Sequence, residues 1–260
     1  MSNVPLSDGV HYNYYFEKIM RILLLILFLI FTNPCFAGVD FDNTDDVLNC
    51  GSDASLDNRT TFTACVTFKA DTIGDDFDDI FNKYTAVGDT GPVFLGISNG
   101  SGIDNGLVMY WSAPSGVMLS TSADNVITTG TWYKVCTTFN NAGDRTGRIY
   151  INGTEVGSYV GQTAATGTLD SDASNNIFLG NLAGSAGREF DGIISEAALW
   201  SSVLSAQEIL QYGKSNVKRI ALQLSPSTLV SYWALDDQPD GTSGDGDAFM
   251  DMKSGNNCTG

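Results

Sequence analysis

The sequence predicts an all-β fold: a two-sheet antiparallel sandwich with one short helix after the last main strand. Three observations carry this. From Val39 onward, short apolar or alternating runs are separated by clusters of Gly, Asn, Asp and Ser, and the chain holds 28 glycines. No long 3.6-residue period occurs beyond residue 38. A single segment, 205–213, carries both a helix start and a helix stop.

Taken in order, "VDFD" at 39–42 opens the series. "TFTACVTFKA" at 61–70 puts Phe62, Ala64, Val66 and Phe68 on one face and Thr63, Cys65, Thr67 and Lys69 on the other. "IFNKY" (80–84), "PVFLGIS" (92–98) and "GLVMYW" (106–111) read as further strands. "TWYKVCTTFN" (131–140) alternates Val135, Thr137 and Phe139 against Lys134, Cys136 and Thr138. "GRIYINGTEVGSYV" (147–160) reads as a hairpin, because Asn152-Gly153 supplies the positive φ angles of a type I′ turn. "NIFLGNL" (176–182) and "FDGIISEAALW" (190–200) complete the series. In the helix, Ser205 is an N-cap and Glu208 closes a capping box; Ile209 and Leu210 supply an apolar side and Gly213 a stop.

The first 37 residues read as a secretory leader. Lys18 and Arg21 precede the apolar run 22–31, and Cys35-Phe36-Ala37 offers small residues where a signal peptidase cuts, leaving Gly38 first. Residues 1–19 lack signal character, which makes Met20 an alternative start. Ten apolar residues are short for a bilayer, so no stable membrane span is expected after cleavage. The expected location is secreted, periplasmic or cell-surface. Cleavage would also remove His11, the one histidine, and with it Ser–His and Cys–His catalysis and histidine-ligated zinc.

Formal charge is −17, and the leader carries two residues of each sign, so cleavage leaves it unchanged. Such a surface repels phosphate backbones and excludes nucleic acid as a partner. Four cysteines follow the leader (Cys50, Cys65, Cys136 and Cys258) without a C-x-x-C spacing. In an oxidising compartment they predict two disulfides. Three pairings are open; Cys65 with Cys136 is the expected one, since both lie on strand-like segments.

The ordered motifs resemble the laminin-G-like, concanavalin A-like lectin/glucanase jelly-roll superfamily. The resemblance runs from "VDFDNTDDVLN" (39–49) through the strand at 62–68, I-x-x-K at 80–83, "TW" at 131–132, "IYING" at 149–153 and "IFLGN" at 177–181. It closes on F-x-G-x-I-x-E at 190–196 and "LSAQEI" at 204–209. It implies a jelly-roll sandwich over 38–213, with Trp132, Trp200 and Trp233 as core residues, the helix as a lid on the sandwich edge, and Ile194, Leu199, Leu204 and Ile209 buried. Residues 214–260 contain "LVSYWALDD", which resembles the usual opening of such a domain. It would either add a strand to the sandwich or start a second domain that is cut short. In the first case Cys258 would pair with the remaining Cys50.

Calcium is the expected cofactor, as a structural ion. Asp40, Asp42, Asp45 and Asp46 cluster at the first strand, and a second group (Asp75, Asp76, Asp78, Asp79) precedes "IF". Solvated loops or edge-strand guards are the competing explanation, and the better one for the second group; for the first, the resemblance favours a site at Asp42 and Asp45, with Glu196 as a structural or metal-adjacent carboxylate. Ser195 stands where the family commonly has Asp, which removes one candidate ligand. For a glycan, aromatic platforms are needed. Tyr110 and Trp111 end a strand and are the first candidates, with Tyr84 and Tyr133 secondary; Trp111 divides evenly between surface and core. Four N-x-[ST] sequons occur, at Asn58, Asn99, Asn152 and Asn257. The expected function is non-catalytic recognition of a glycan, or adhesion to a cell-surface or matrix protein. The alternative is a structural surface or assembly component. A carboxylate-dependent glycosidase is disfavoured, because Glu155, Glu189, Glu196 and Glu208 are the only glutamates after the leader and the E-x-D-x-x-E pattern of related glucanases is absent.

Overall fold

The strands alternate between two packed antiparallel sheets, the arrangement that period-two patterning on facing strands requires. The computed structural model describes residues 18–21, 37–74, 77–84, 91–100, 102–112, 116–182, 187–237 and 247–260. Residues 18–21 are helical, and most of the leader (1–17 and 22–36) lies outside the described residues, as do Asp75 and Asp76. Among the described residues no helix is long and apolar enough to cross a membrane.

In chain order the strands are β1 (Val39–Asp42), β2 (Leu48–Asn49), β3 (Thr61–Ala70), β4 (Phe77–Asn82), β5 (Gly91–Ser98), β6 (Gly106–Ser112), β7 (Met118–Ser122) and β8 (Trp132–Asn140). There follow β9 (Arg148–Ile151), β10 (Thr154–Glu155), β11 (Tyr159–Thr163), β12 (Phe178–Leu179) and β13 (Asp191–Trp200). The helix α1 (Ala206–Lys214), a 3₁₀ turn (Ile220–Gln223), β14 (Leu229–Trp233), β15 (Ala248–Phe249) and β16 (Cys258–Thr259) complete the chain. The first sheet runs β1-β13-β3-β8-β9-β10, with β14 also on β13. The second runs β11-β7-β6-β5-β4-β12-β2-β16-β15. This is the predicted two-sheet sandwich, with its one short helix after the last main strand.

Between the sheets lies an aromatic core in which Phe62 packs edge-on to Phe94 (4.9 Å between ring centroids) and against Trp111 (6.0 Å) and Phe139 (5.9 Å). The inward face of β3 is the one the alternation predicts: Phe62, Val66 and Phe68 are buried there. Its other face is buried as well. Cys65, Cys136, Ala198 and Trp200 meet Ile209 and Tyr212 of α1 and Tyr232 of β14 in a second apolar layer. The helix lies against β8 and β10; Leu204 is buried in this layer with Ile209, while Ile194 and Leu199 are buried between the sheets.

The helix begins as its sequence dictates. Ser205 caps it, and Ser205 and Glu208 exchange the two hydrogen bonds of a capping box. Two expectations for it change. Leu210 is exposed, since Ile209 and Tyr212 are the residues turned to the sheet. Gly213 lies within the helix, which runs on to Lys214. The reason is a close crossing: a Cβ on Gly213 would sit 2.0 Å from the backbone nitrogen of Gly153. The Asn152-Gly153 turn has φ of 50° and 84°, as its type requires. Trp132 is half-buried, at the end of β8, while Trp200 and Trp233 are fully buried.

The C-terminal segment is part of this body. β14 pairs antiparallel with β13, and β16 pairs with both β2 and β15. Cys50 is bonded to Cys258 and Cys65 to Cys136. β7 escaped the sequence reading because Ser120, Thr121 and Ser122 are polar yet buried; Ser120 spends its hydroxyl on the Gly147 carbonyl at 2.7 Å.

Candidate functional site

The sequence candidates separate into three places. Asp42 ends β1 and Asp45 and Asp46 follow it; one carboxylate oxygen from each of the three lies within 4.8 Å of the others. Asp42 and Asp45 are exposed, Asp46 is buried and accepts the Asp42 amide at 3.1 Å. Oxygen ligands about 2.3–2.6 Å from a calcium ion fit within that span.

Glu196 is not part of that group. Asp42 pairs with Asp191, and Glu196 lies five residues further along β13, about 16 Å at the rise of a strand. The two register positions that face it are informative: Glu196 pairs with Thr67, and Thr67 with Lys134, in one row across β13, β3 and β8. Glu196 Oε1 accepts from Lys134 Nζ (2.9 Å) and Thr67 Oγ1 (3.0 Å). Its Oε2 accepts from Tyr232 OH (2.6 Å) and the Arg219 amide (3.3 Å). Each oxygen has two donors, so the carboxylate is saturated by protein and has no lone pair left for a metal. This overturns its assignment as a ligand.

Trp111 is also reassigned. It is 1 % exposed, between Phe62 and Phe139 in the core, so no glycan can stack on it. Tyr133 belongs to the other sheet, where it packs on Phe68 and accepts the Thr128 amide. Tyr84 and Tyr110, by contrast, come together on the outward face of the second sheet. Both line a cavity of about 320 Å³.

Strand register builds this cavity. Val93, Tyr110 and Leu119 are cross-strand neighbours on β5, β6 and β7, and Val108 and Thr121 form the next row. All five line the cavity. The place beside Val108 on β5 belongs to Gly96, where a Cβ would lie 2.6 Å from the Phe77 ring; the glycine lets that ring lie across the sheet as one wall. The Arg188 guanidinium covers Phe77 at 4.7 Å from the ring centroid. Arg188 Nη1 donates to Tyr84 OH at 2.8 Å, and Tyr84 OH donates to Asp79 Oδ2 at 3.1 Å. Arg188 and Asp79 are themselves an ion pair at 3.4 Å. Neither Arg188 nor Phe77 is marked by any local sequence pattern; Arg188 reaches the cavity because its carbonyl accepts the Asp79 amide at 3.0 Å.

Behind this wall the electrostatics are strained. Asp79 is fully buried; burial pushes its carboxyl up to about 6 against the pull of Arg188 and Tyr84. Asp78, also buried, is pushed up to about 7, first by burial and then by Asp79, Asp191 and Glu189, while the Gly74 amide opposes the rise. A carboxyl with a raised pKa binds its proton more tightly folded than unfolded. Between the unfolded 3.8 and about 7, the folded chain therefore holds more protons, and stability falls as pH rises through that window. Asp78→Asn, which keeps an acceptor for Gly74, is expected to stabilise the protein by about 1–3 kcal/mol at pH 8 and to flatten the loss from pH 5 to 8. Urea denaturation at both pH values measures it; equal loss in the variant and the parent would refute it.

The family profile described as the concanavalin A-like lectin/glucanases superfamily matches residues 42–210. No curated protein sequence matches the chain. Among solved structures, a candidate carbohydrate-binding protein from Bacteroides ovatus is similar, with 20% identity and a TM-score of 0.58, over 86% of this chain and 58% of that one. The chain thus spans little more than half of that relative's length. Full-length tailspike protein 2 of the Escherichia coli O157:H7 bacteriophage CAB120 is similar with 10% identity and a TM-score of 0.51, over 77% of this chain and 27% of that one. At these identities the likeness is one of fold.

Proposed function

Because the chain belongs to the concanavalin A-like lectin/glucanase superfamily and carries a tyrosine-walled cavity on the outward face of its second sheet, we propose that it is a non-catalytic carbohydrate-recognition module. The cavity is the observation that carries this reading. It joins an aromatic platform, Tyr110, to hydrogen-bonding groups held in place, Tyr84 and Arg188, which is the combination sugar rings require. Glycoside hydrolysis uses two carboxylates across a cleft, whereas the cavity lining among the described residues contains none; Asp79 lies behind Tyr84 and Arg188. The two disulfides support export to an oxidising compartment, hence a secreted or surface-exposed protein. Calcium is proposed as a structural ion at Asp42, Asp45 and Asp46.

The test is binding of the purified protein to a broad oligosaccharide and polysaccharide panel, in calcium and in chelator. A saccharide ligand is expected, with Tyr110→Ala weakening it about tenfold or more. Calcium well above its dissociation constant is expected to raise the melting temperature by about 3–10 °C. Silence across the panel in both conditions would overturn the carbohydrate reading, and an unchanged melting temperature would remove calcium.

A further inference from the structure

We propose, resting on the carbohydrate reading above, that this cavity selects a terminal sugar by a methyl group: a 6-deoxyhexose or an N-acetylhexosamine in preference to its fully hydroxylated congener. The lining is divided. On one side stand Arg188 and Tyr84, fixed to each other and to Asp79. The floor opposite is aliphatic: Val93, Val108 and Leu119 from three adjacent strands, with Ile103 beside them. Two aliphatic hydroxyls also line the cavity among the described residues: Thr121, almost fully buried within the floor, and Ser98, half-buried at the end of β5.

A pyranose with hydroxyls around its whole rim cannot satisfy such a lining. Hydroxyls turned to Arg188 and Tyr84 find partners, but those turned to the floor lose water and gain none. A ring that bears a methyl or acetyl-methyl on that side meets carbon with carbon. Volume limits the ligand further: about 320 Å³ lies at the small end of ligand pockets, room for an end residue rather than a stretch of chain. Charge narrows it again. The Arg188 guanidinium is offset by Asp79, and the protein carries −17 overall, so the cavity favours a neutral sugar over an acidic one.

The discrimination is bounded, because an apolar pocket rejects an added hydroxyl by no more than about 100-fold. Titration calorimetry with matched pairs reads it directly: D-fucose against D-galactose, L-fucose against L-galactose, 6-deoxyglucose against glucose, and N-acetylglucosamine against glucose. At least one methyl-bearing member is expected to bind about tenfold or more tightly than its partner. Val108→Thr keeps the side-chain shape and places a hydroxyl in the floor, and it is expected to narrow that ratio severalfold while the variant melts within a few degrees of the parent. Equal or reversed affinities within every pair would overturn the selection rule and leave sugar recognition standing. A preference unaltered in Val108→Thr would locate the discrimination elsewhere and overturn it too. Absence of any saccharide binding, on these pairs and on the wider panel, would overturn both readings together.

Discussion

Glu196→Ala is expected to cost about 3–5 kcal/mol of folding stability, lowering the melting temperature by about 6–20 °C for a chain of this size. Four donors lose their acceptor at once: Lys134, Thr67, Tyr232 and the Arg219 amide. The ammonium of Lys134 would stay beneath α1, 4.7 Å over the Tyr212 ring, with its carboxylate gone. Burial pushes the Glu196 carboxyl up, but Lys134 and the hydroxyls of Tyr232 and Thr67 outweigh it and hold the group below its ordinary value. Its contribution is therefore full above an unfolded value near 4.5 and disappears as acid protonates the folded carboxylate. A double-mutant cycle measures the coupling. Lys134→Met and Glu196→Ala together should cost clearly less than the sum of the two single changes. Simple additivity would show that the pair is an accident of proximity.

Lys83→Met is expected to cost a similar amount, about 3–5 kcal/mol, by a different route. The ammonium is wholly buried and spends its three donors on the Asp57 carboxylate (2.9 Å), the Asp172 carbonyl (2.7 Å) and the Asn175 carbonyl (2.8 Å). Burial raises the Asp172 carboxyl, while the Asn58 amide and Lys83 draw it down again. One side chain thus fastens the segments around 57 and 172–175 to the end of β4, beside the sheet that carries the cavity. Methionine has nearly the same length and no donor, so two carbonyls and two carboxylates lose the same partner. Lys83→Arg is not expected to rescue, because a planar fork cannot serve three acceptors arranged around a point charge. Urea denaturation gives the stability change, and limited proteolysis should show cleavage near 172–175 in the variant before the sheets unfold. A variant that unfolds within 1 kcal/mol of the parent would refute the assignment.

How much of this was legible in the sequence depends on whether the two faces of a strand differ in chemistry. β3 and β8 are buried on both faces, yet large apolar side chains alternate with small or polar ones, and the inward side could be assigned from Phe62, Val66, Phe68 and Phe139. "GLVMYW" does not alternate: Leu107, Met109 and Trp111 face the core, Val108 and Tyr110 the cavity. An apolar run of this kind fixes that Tyr110 and Trp111 point opposite ways, but gives no sign of which one is outside. Glu196 and Lys134 were each visible as a lone charge in an apolar strand. Their partnership was not, because it depends on the register of β13 and β8 against β3. Arg188 was the least legible. Its importance arises from one long-range backbone hydrogen bond and from the absence of a side chain at Gly96.

The Cys50–Cys258 bond has a mechanical consequence. It closes a covalent loop over a sequence separation of 208, and every residue that shapes the cavity lies inside that loop. Tension applied to the chain on the two sides of this bond would pass from Cys50 to Cys258 through sulfur. It could peel β1 and β2 from their neighbours, yet β4 to β7 would carry no load. A domain tethered at its ends and pulled by whatever it holds would keep its cavity intact until the covalent bond itself was reduced.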